Sequence, residues 1–292
     1  MPPRNPGLVA VLGASGRSGA DLCRALTAAG TPFVPIVRDE ARWHAVGLPA
    51  AARLADLADA SSRTAALADA GTVVSTAHAS WTAQILAAAP PDASLVLMGS
   101  TRRFSQWPDA HGDGVRAGEA VFLGSGRAGV MLHPTLIYGR ARQGDVQRLA
   151  ALLARLPMAP LPAGGQALVQ PIHQADVTRC LQAAIGRSWA GPETVVIAGP
   201  EPVAFRDFLR AVAAAAGLRA PPVLPVPAAA LRAVARVGAL VPGLPRIGPD
   251  EIRRLTEDRA FDVARMGECL GVAPVSLGAG LAMTFPSCRD AA

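Results

Sequence analysis

"GASGRSG", Gly13 to Gly19, follows the aliphatic run "LVAVL" (Leu8 to Leu12). It opens "ADLCRALTAAG", a stretch of helical spacing that stops at Gly30. Glycines in the pattern G-x-x-G-x-x-G at a strand-to-helix turn have separable uses. One permits the tight turn, one lets the backbone approach a pyrophosphate, and one lets the helix lie close on the strand. The helix N-terminus that follows adds N–H donors and partial positive charge. Glycines also mark ordinary turns, but the strand–loop–helix context is the one a dinucleotide-binding loop requires. Gly13, Ser15, Gly16, Arg17, Ser18 and Gly19 are therefore the candidate phosphate-cradling residues.

Outward from the loop, short β-like runs alternate with helical stretches. "PFVPIVR" reads as a second strand, with Pro35 favouring an edge-like place. "AARLADLAD" holds a short third strand, "GTVVSTA" a fourth, "SLVLMGS" a fifth and "AGVMLHPTLIYG" a sixth. Strands separated by helices imply right-handed βαβ units. The expected fold is α/β, a Rossmann-type doubly wound parallel sheet with a smaller C-terminal substrate lobe. The expected division is 1–189 for the dinucleotide-binding domain, with a lobe insertion at about 140–170, and 190–292 for most of the lobe.

Composition narrows the chemistry. All 28 basic residues are arginine, and Tyr138 is the one tyrosine. A Schiff-base lysine and a Tyr/Lys dyad are excluded by inventory. The formal charge of +6 and the sequence pI near 10.3 come without any run of basic residues, so nucleic acid is not an expected partner. Cys23, Cys180, Cys269 and Cys288 are widely spaced and read as reduced thiols of a cytoplasmic protein, with no metal site. Pro221 to Pro245 is apolar but broken by Arg232, Arg236 and prolines. It reads as an amphipathic lobe helix rather than a membrane span. The expected partner is a small-molecule substrate, with a homodimer as the conceivable assembly.

Cofactor choice falls to the end of the second strand. An acidic residue about 20 positions after the loop would accept the ribose 2′-OH of NAD. Here Arg38 stands there, followed by Asp39. Arginine grips a 2′-phosphate through a forked, charge-assisted contact, and Arg17 is placed to join it. Alternatively Arg38 is solvated and Asp39 takes the hydroxyls. The expected cofactor is NADP, with NAD as the alternative.

Taken together, "GASGRSG", "ADLAD", "STAHAS", "GSTRRF", "HPTLIYG", "QPIHQADVTRC" and "FDVARMGECLGVAP" resemble the extended and atypical short-chain dehydrogenase/reductase superfamily, the group of NAD-dependent epimerase/dehydratase proteins. The resemblance covers nearly the whole chain. It implies that Asp56 and Leu57 approach adenine, that Thr76 and His78 lie beside the cofactor ribose, and that Ser100 or Thr101 orients substrate. Pro134 would lie near the nicotinamide, and His173 and Asp176 at a seam between lobes. His78 and His173 read equally well as satisfied seam histidines, and Asp176 as a helix N-cap.

One stretch departs from that family. "HGDGVRAGE", His111 to Glu119, stands where Tyr-x-x-x-Lys is expected. If Glu119 matches the glutamate four residues beyond the family's lysine, His111 takes the tyrosine position and Val115 the lysine position. An imidazole titrates near neutral pH and can protonate a developing alkoxide. His111 is thus the candidate acid, with His133 and Ser100 as fallbacks, although His111 also reads as an exposed loop residue beside Gly112 and Gly114. The leading expectation is an NADP-dependent oxidoreductase acting on a small carbonyl or alcohol with a non-standard proton donor. The second is a non-catalytic dinucleotide-binding protein for redox sensing or assembly. The third is a nucleotide-sugar epimerase or dehydratase.

Overall fold

In the computed structural model, which describes residues 5–107, 109–139, 145–232 and 249–286, β1 (Asn5–Leu12) is the central strand. Val9, Ala10, Val11 and Leu12 are all buried, as a strand covered on both faces must be. Around it lie β2 (Phe33–Val37), β3 (Arg53–Leu54), β4 (Ala70–Ser75), β5 (Ser94–Met98) and β6 (Gly129–Pro134). Three short lobe pairs follow in sequence: β7 (Ile137–Tyr138) with β10 (Ile172–His173), β8 (Ala159–Pro162) with β13 (Val223–Val226), and β9 (Leu168–Val169) with β12 (Val203–Ala204). β11 (Pro192–Ile197) returns to the main sheet beside β6.

The main sheet has the order β11-β6-β5-β4-β1-β2-β3, and its pairings are parallel. The strand order reverses between β1 and β4, so the crevice at their carboxyl ends is the place where such sheets bind ligands. Pro35 sits inside β2 without harm. Pro32 and Ile36 face β1 through their carbonyls, so Pro35 turns its missing N–H the other way, where β3 pairs only with Ile36 and Val37.

Two apolar layers sandwich the sheet. On one face α1 (Arg17–Ala28) and α7 (Gln174–Ile185) pack with the helix Ala264–Leu270. On the other lie α3 (Ala60–Leu67), α4 (Thr82–Ala88) and α5 (Ala110–Gly124), with Phe122 at the centre. A third cluster builds the lobe from α6 (Asp145–Leu153), α8 (Phe205–Ala215) and the helix Leu277–Thr284, around Phe208, Leu209 and Val212. The expected boundary at residue 189 falls too early. Pro192–Ile197 is the seventh strand of the main sheet, and Met266 and Leu270 belong to its core. Of the helix expected within Pro221 to Pro245, residues 233–248 lie outside the described residues, as does Cys288. No helix among the described residues is long and apolar enough to cross a membrane.

Glycines set how closely helices approach the sheet. A Cβ at position 19 would stand 2.2 Å from the carbonyl oxygen of Gly13 and 2.9 Å from the Ala14 Cα. Gly19→Val is therefore expected to cost about 1–3 kcal/mol or more of stability by overpacking against backbone. Gly16→Ala, whose Cβ meets only the Gly13 carbonyl at 3.2 Å, is expected to stay near the parent. Thermal unfolding checks both, and a Gly19→Val protein as stable as the parent would refute this packing.

Candidate functional site

The loop after β1 shows three distinct glycine roles. Gly13 has φ +78°, and a Cβ there would meet the Thr76 hydroxyl at 2.7 Å. Gly16 is exposed and is the N-cap of α1, with no side chain capping the helix and no acidic residue in its first turn. The α1 N-terminus is thus open to an anion. Gly19 makes the backbone contact described above.

A cavity lies on each side of this turn, and Ser15 and Arg42 line both. One, of about 280 Å³, is walled by Gly13, Arg38, Asp39, Asp56, Leu57 and Trp81. The other, of about 330 Å³, runs over the outer face of α1 past Gly16, Arg17 and Arg24 to Tyr138 and Gln174. Arg38 is exposed. Asp39 is committed elsewhere. Its carboxylate caps α2 (Glu40–His44) by accepting from the Arg42 N–H and lies 3.5 Å from the Arg42 guanidinium. A dinucleotide fits these residues: the helix end is open, Gly16 carries no side chain, and Arg42 lines both cavities, with Arg17 in the wall of one and Arg38 in the wall of the other.

Some expected cofactor residues are occupied with other work. Thr76 donates its hydroxyl to the carbonyls of Leu12 or Gly13 (3.1 and 3.2 Å), closing the crossing between β1 and β4. Ala77, the next residue, lines the cavity instead. Ser18 donates to the Gln174 side chain at 3.1 Å, tying α1 to α7 rather than facing the loop opening. Pro134 is buried at the end of β6, and its carbonyl accepts from the Thr101 hydroxyl. Arg42, Trp81 and Ala77 were not singled out by sequence. Only Arg42, one helical turn beyond Arg38, carried a readable signal.

His111 is not a loop residue. It occupies the first turn of α5, which Asp109 caps by accepting from the Gly112 N–H at 2.6 Å. α5 keeps glycines at 112, 114 and 118 because it lies against backbone. A Cβ at 118 would be 2.0 Å from the Ala79 carbonyl oxygen, and one at 114 would be 2.7 Å from the His78 ring. Each such glycine costs about 1 kcal/mol of helix propensity, and the close contact offsets it. Val115, one turn beyond His111, is buried in the core. The His111 and His78 rings stand edge to face, 4.4 Å between centroids. Burial lowers the His111 pKa below its ordinary 6.5. The neighbouring charges of His78, Arg102 and Arg254 act the same way, against Asp109. Burial also pushes the Asp109 carboxyl up, but the Gly112 N–H, Arg102 and Arg254 hold it below its usual range.

The fallback acids have structural tasks. Ser100 accepts the Arg102 N–H at its hydroxyl, capping the turn Thr101–Phe104, which leaves its own proton to donate. The Ser100 N–H donates to His133 Nδ1 at 3.2 Å. The neutral His133 ring therefore carries its proton on Nε2, which lies 3.2 Å from Glu119 Oε2. Arg103 contacts the same carboxylate oxygen. These pairings have ion-pair proximity without hydrogen-bond alignment. His133 is fully buried, so it holds the Ser100 turn and does not reach a ligand.

The seam behaves differently from expectation. His173, not Asp176, caps α7, accepting the Ala175 N–H at Nδ1. Asp176 is fully buried and receives Arg179 and the Val275 N–H. Tyr138 is buried against His173, with its ring 5.2 Å away. Burial, and then the Asp176 charge, push its phenol up to about 12. A buried glutamine, Gln170, binds the seam. Its side chain accepts from the Phe261 N–H and donates to the Gly199 carbonyl, and its carbonyl accepts from the Thr135 hydroxyl.

No family model and no curated protein matches the sequence. Solved structures do. The protein solved as gox2253 is 18% identical over 98% of this chain and 98% of its own, with a TM-score of 0.75. The NADPH-dependent quinone oxidoreductase QOR2 of Escherichia coli, complexed with NADPH, is 16% identical over 94% and 98%, at 0.73. MoeE5, in complex with UDP-glucose and NAD, is 20% identical over 98% and 99%, at 0.71. At such identities the likeness establishes the fold alone, a Rossmann-type α/β architecture.

Burial holds the His173 pKa below 6.5, against Asp176 and Asp21. A folded-state pKa below the unfolded one means that the unfolded chain binds the proton more readily. The stabilisation is whole above about pH 6.5 and is lost as pH falls through the folded pKa. Protonation also removes the acceptor that caps α7. Unfolding followed across pH 7.5 to 5 is expected to show falling stability, and His173→Asn to flatten the slope. An unchanged slope would exclude His173 as a source.

Proposed function

We propose that the chain is an NADP-dependent oxidoreductase that reduces a small carbonyl compound and uses His111 as its proton donor. The observation that carries this reading is the open α1 N-terminus beside two cavities that share a wall and that Arg17, Arg38 and Arg42 line. Structural neighbours complexed with NADPH and with NAD support a nicotinamide dinucleotide.

The bound dinucleotide supplies the hydride. The backbone at Ser15, Gly16 and Arg17 holds the pyrophosphate, and Asp56 and Leu57 flank the adenosine. Arg38, helped by Arg17 and Arg42, takes the 2′-phosphate, since Asp39 is engaged in its cap. Ser100 donates its hydroxyl proton as a hydrogen bond to the substrate oxygen. His111, on the same rim, gives that oxygen a proton. A second copy of the chain remains a proposed partner, and the small-molecule substrate the principal one.

A charge-assisted contact contributes about 1.5–3 kcal/mol. Arg38→Ala is expected to weaken NADPH binding at least tenfold and to leave NADH nearly unaffected. Gly16→Val is expected to fold and to lose both cofactors. Calorimetric titration reads each, and equal affinity of the parent for NADPH and NADH would remove the NADP assignment.

A carbonyl panel followed by NADPH absorbance tests the chemistry. His111→Phe should lower kcat by about 10²-fold or more without changing NADPH affinity. Because the acid form is required, reduction should accelerate as pH falls toward the His111 pKa, which lies below 6.5. Tight NADPH binding with no turnover across the panel would instead favour a dinucleotide-binding module.

A further inference from the structure

Three features converge on the ring of His78. Its Nδ1 accepts the Ser80 N–H at 3.2 Å and lies 2.9 Å from the Ser80 hydroxyl. That bond makes His78 the N-cap of the short turn Ala79–Trp81 and puts the proton of the neutral ring on Nε2. Nε2 is buried without a partner in the protein. Gly114 supplies the room, since a Cβ there would stand 2.7 Å from His78 Cε1. His111, three residues before Gly114 on α5, then meets the His78 ring edge to face at 4.4 Å. The pairing thus rests on a locked ring, a missing side chain and a helix held close by Gly118.

We propose that His78 is the positioning partner of His111, and that the two imidazoles act as one unit in place of a phenol–ammonium pair. This rests on the reading of His111 as proton donor. His78 fixes the plane of the His111 ring at the rim of the site. Its proximity also opposes positive charge on His111. The other charged groups bearing on His111 are Arg102 from the turn after β5, Asp109 from the α5 cap and Arg254 from the helix Pro249–Arg254. Asp109 sits 3.0 Å from Arg254 and 4.0 Å from Arg102. Their balance stays constant when His78 alone is changed, and this isolates its contribution.

The test is histidine titration by nitrogen-15 NMR on the free full-length protein, with neither substrate nor cofactor. In the parent, an Overhauser contact between the two rings is expected, and the His78 shifts should follow the His111 titration. In His78→Gln, and separately in Gly114→Ala, which displaces the His78 ring, the His111 midpoint should rise by about half a unit or more. An unchanged midpoint in variants that remain folded would overturn the proposal. Should both variants unfold, absence of the Overhauser contact in the parent would overturn it. If a substrate is known, His78→Gln should move the pH profile of kcat upward by the same amount, whereas a merely structural role would lower kcat without moving the profile. Because the NMR arm needs no turnover, a coupled pair in a protein that reduces nothing would sink the oxidoreductase reading and keep the pair. An active protein with uncoupled histidines would do the reverse.

Discussion

The backbone of α1 rests on the carbonyl of Gly13, with no room for a Cβ at position 19. That contact aims the helix N-terminus at the crevice where the strand order reverses. A Thr76 hydroxyl, donated to the end of β1, closes the same crossing from β4. The device recurs at α5, where Gly118 lies on the Ala79 carbonyl. Through these two contacts the glycine turn after β1 and His111 come to one rim of one sheet. In both places a helix gives up propensity for proximity, and the site is built from that exchange.

Local signals were legible where local physics decides. The aliphatic runs, the glycine spacing and the helical period of α1 fall where the residues predict. The place of "ETVVIAGPEP" does not follow from its own residues. It reads as a strand, but its seat beside β6 depends on α7 crossing back over the sheet to pack on α1. The same is true of Met266 and Leu270, which return from far along the chain to cover that strand.

The site was legible in its parts and not in its pairings. His78 and His111 were separate candidates, and nothing in either segment shows that glycines at 114 and 118 bring them together. Glu119 served only as a register mark. In the structure it is a buried carboxylate between Arg103 and His133, and an unpaired charge in that position would be costly. That need explains why His133 points inward. A glutamate on the apolar face of a helix was the readable hint, since Val115, Gly118 and Phe122 share its burial.

A chain without lysine has few ways to move a proton near neutral pH. Guanidinium groups stay protonated well beyond that range, so arginines can bind phosphate or pair with Asp109 but cannot serve as acids. The Tyr138 phenol is pushed up to about 12 and buried at the seam, where Gly280 leaves space for its hydroxyl. Burial pushes the Cys23 and Cys180 thiols to about 12 as well, inside the sheet–helix layer. Asp109 caps α5 and is held ionised by its neighbours. Of the remaining histidines, His133 and His173 are buried, and His44 sits beside Glu40 on the helix Glu40–His44, away from the rim. Among the described residues, this supports the proposal that an imidazole of the His78–His111 pair carries proton traffic at the rim, with the Ser100 hydroxyl able to hydrogen-bond but not to supply a proton at that pH.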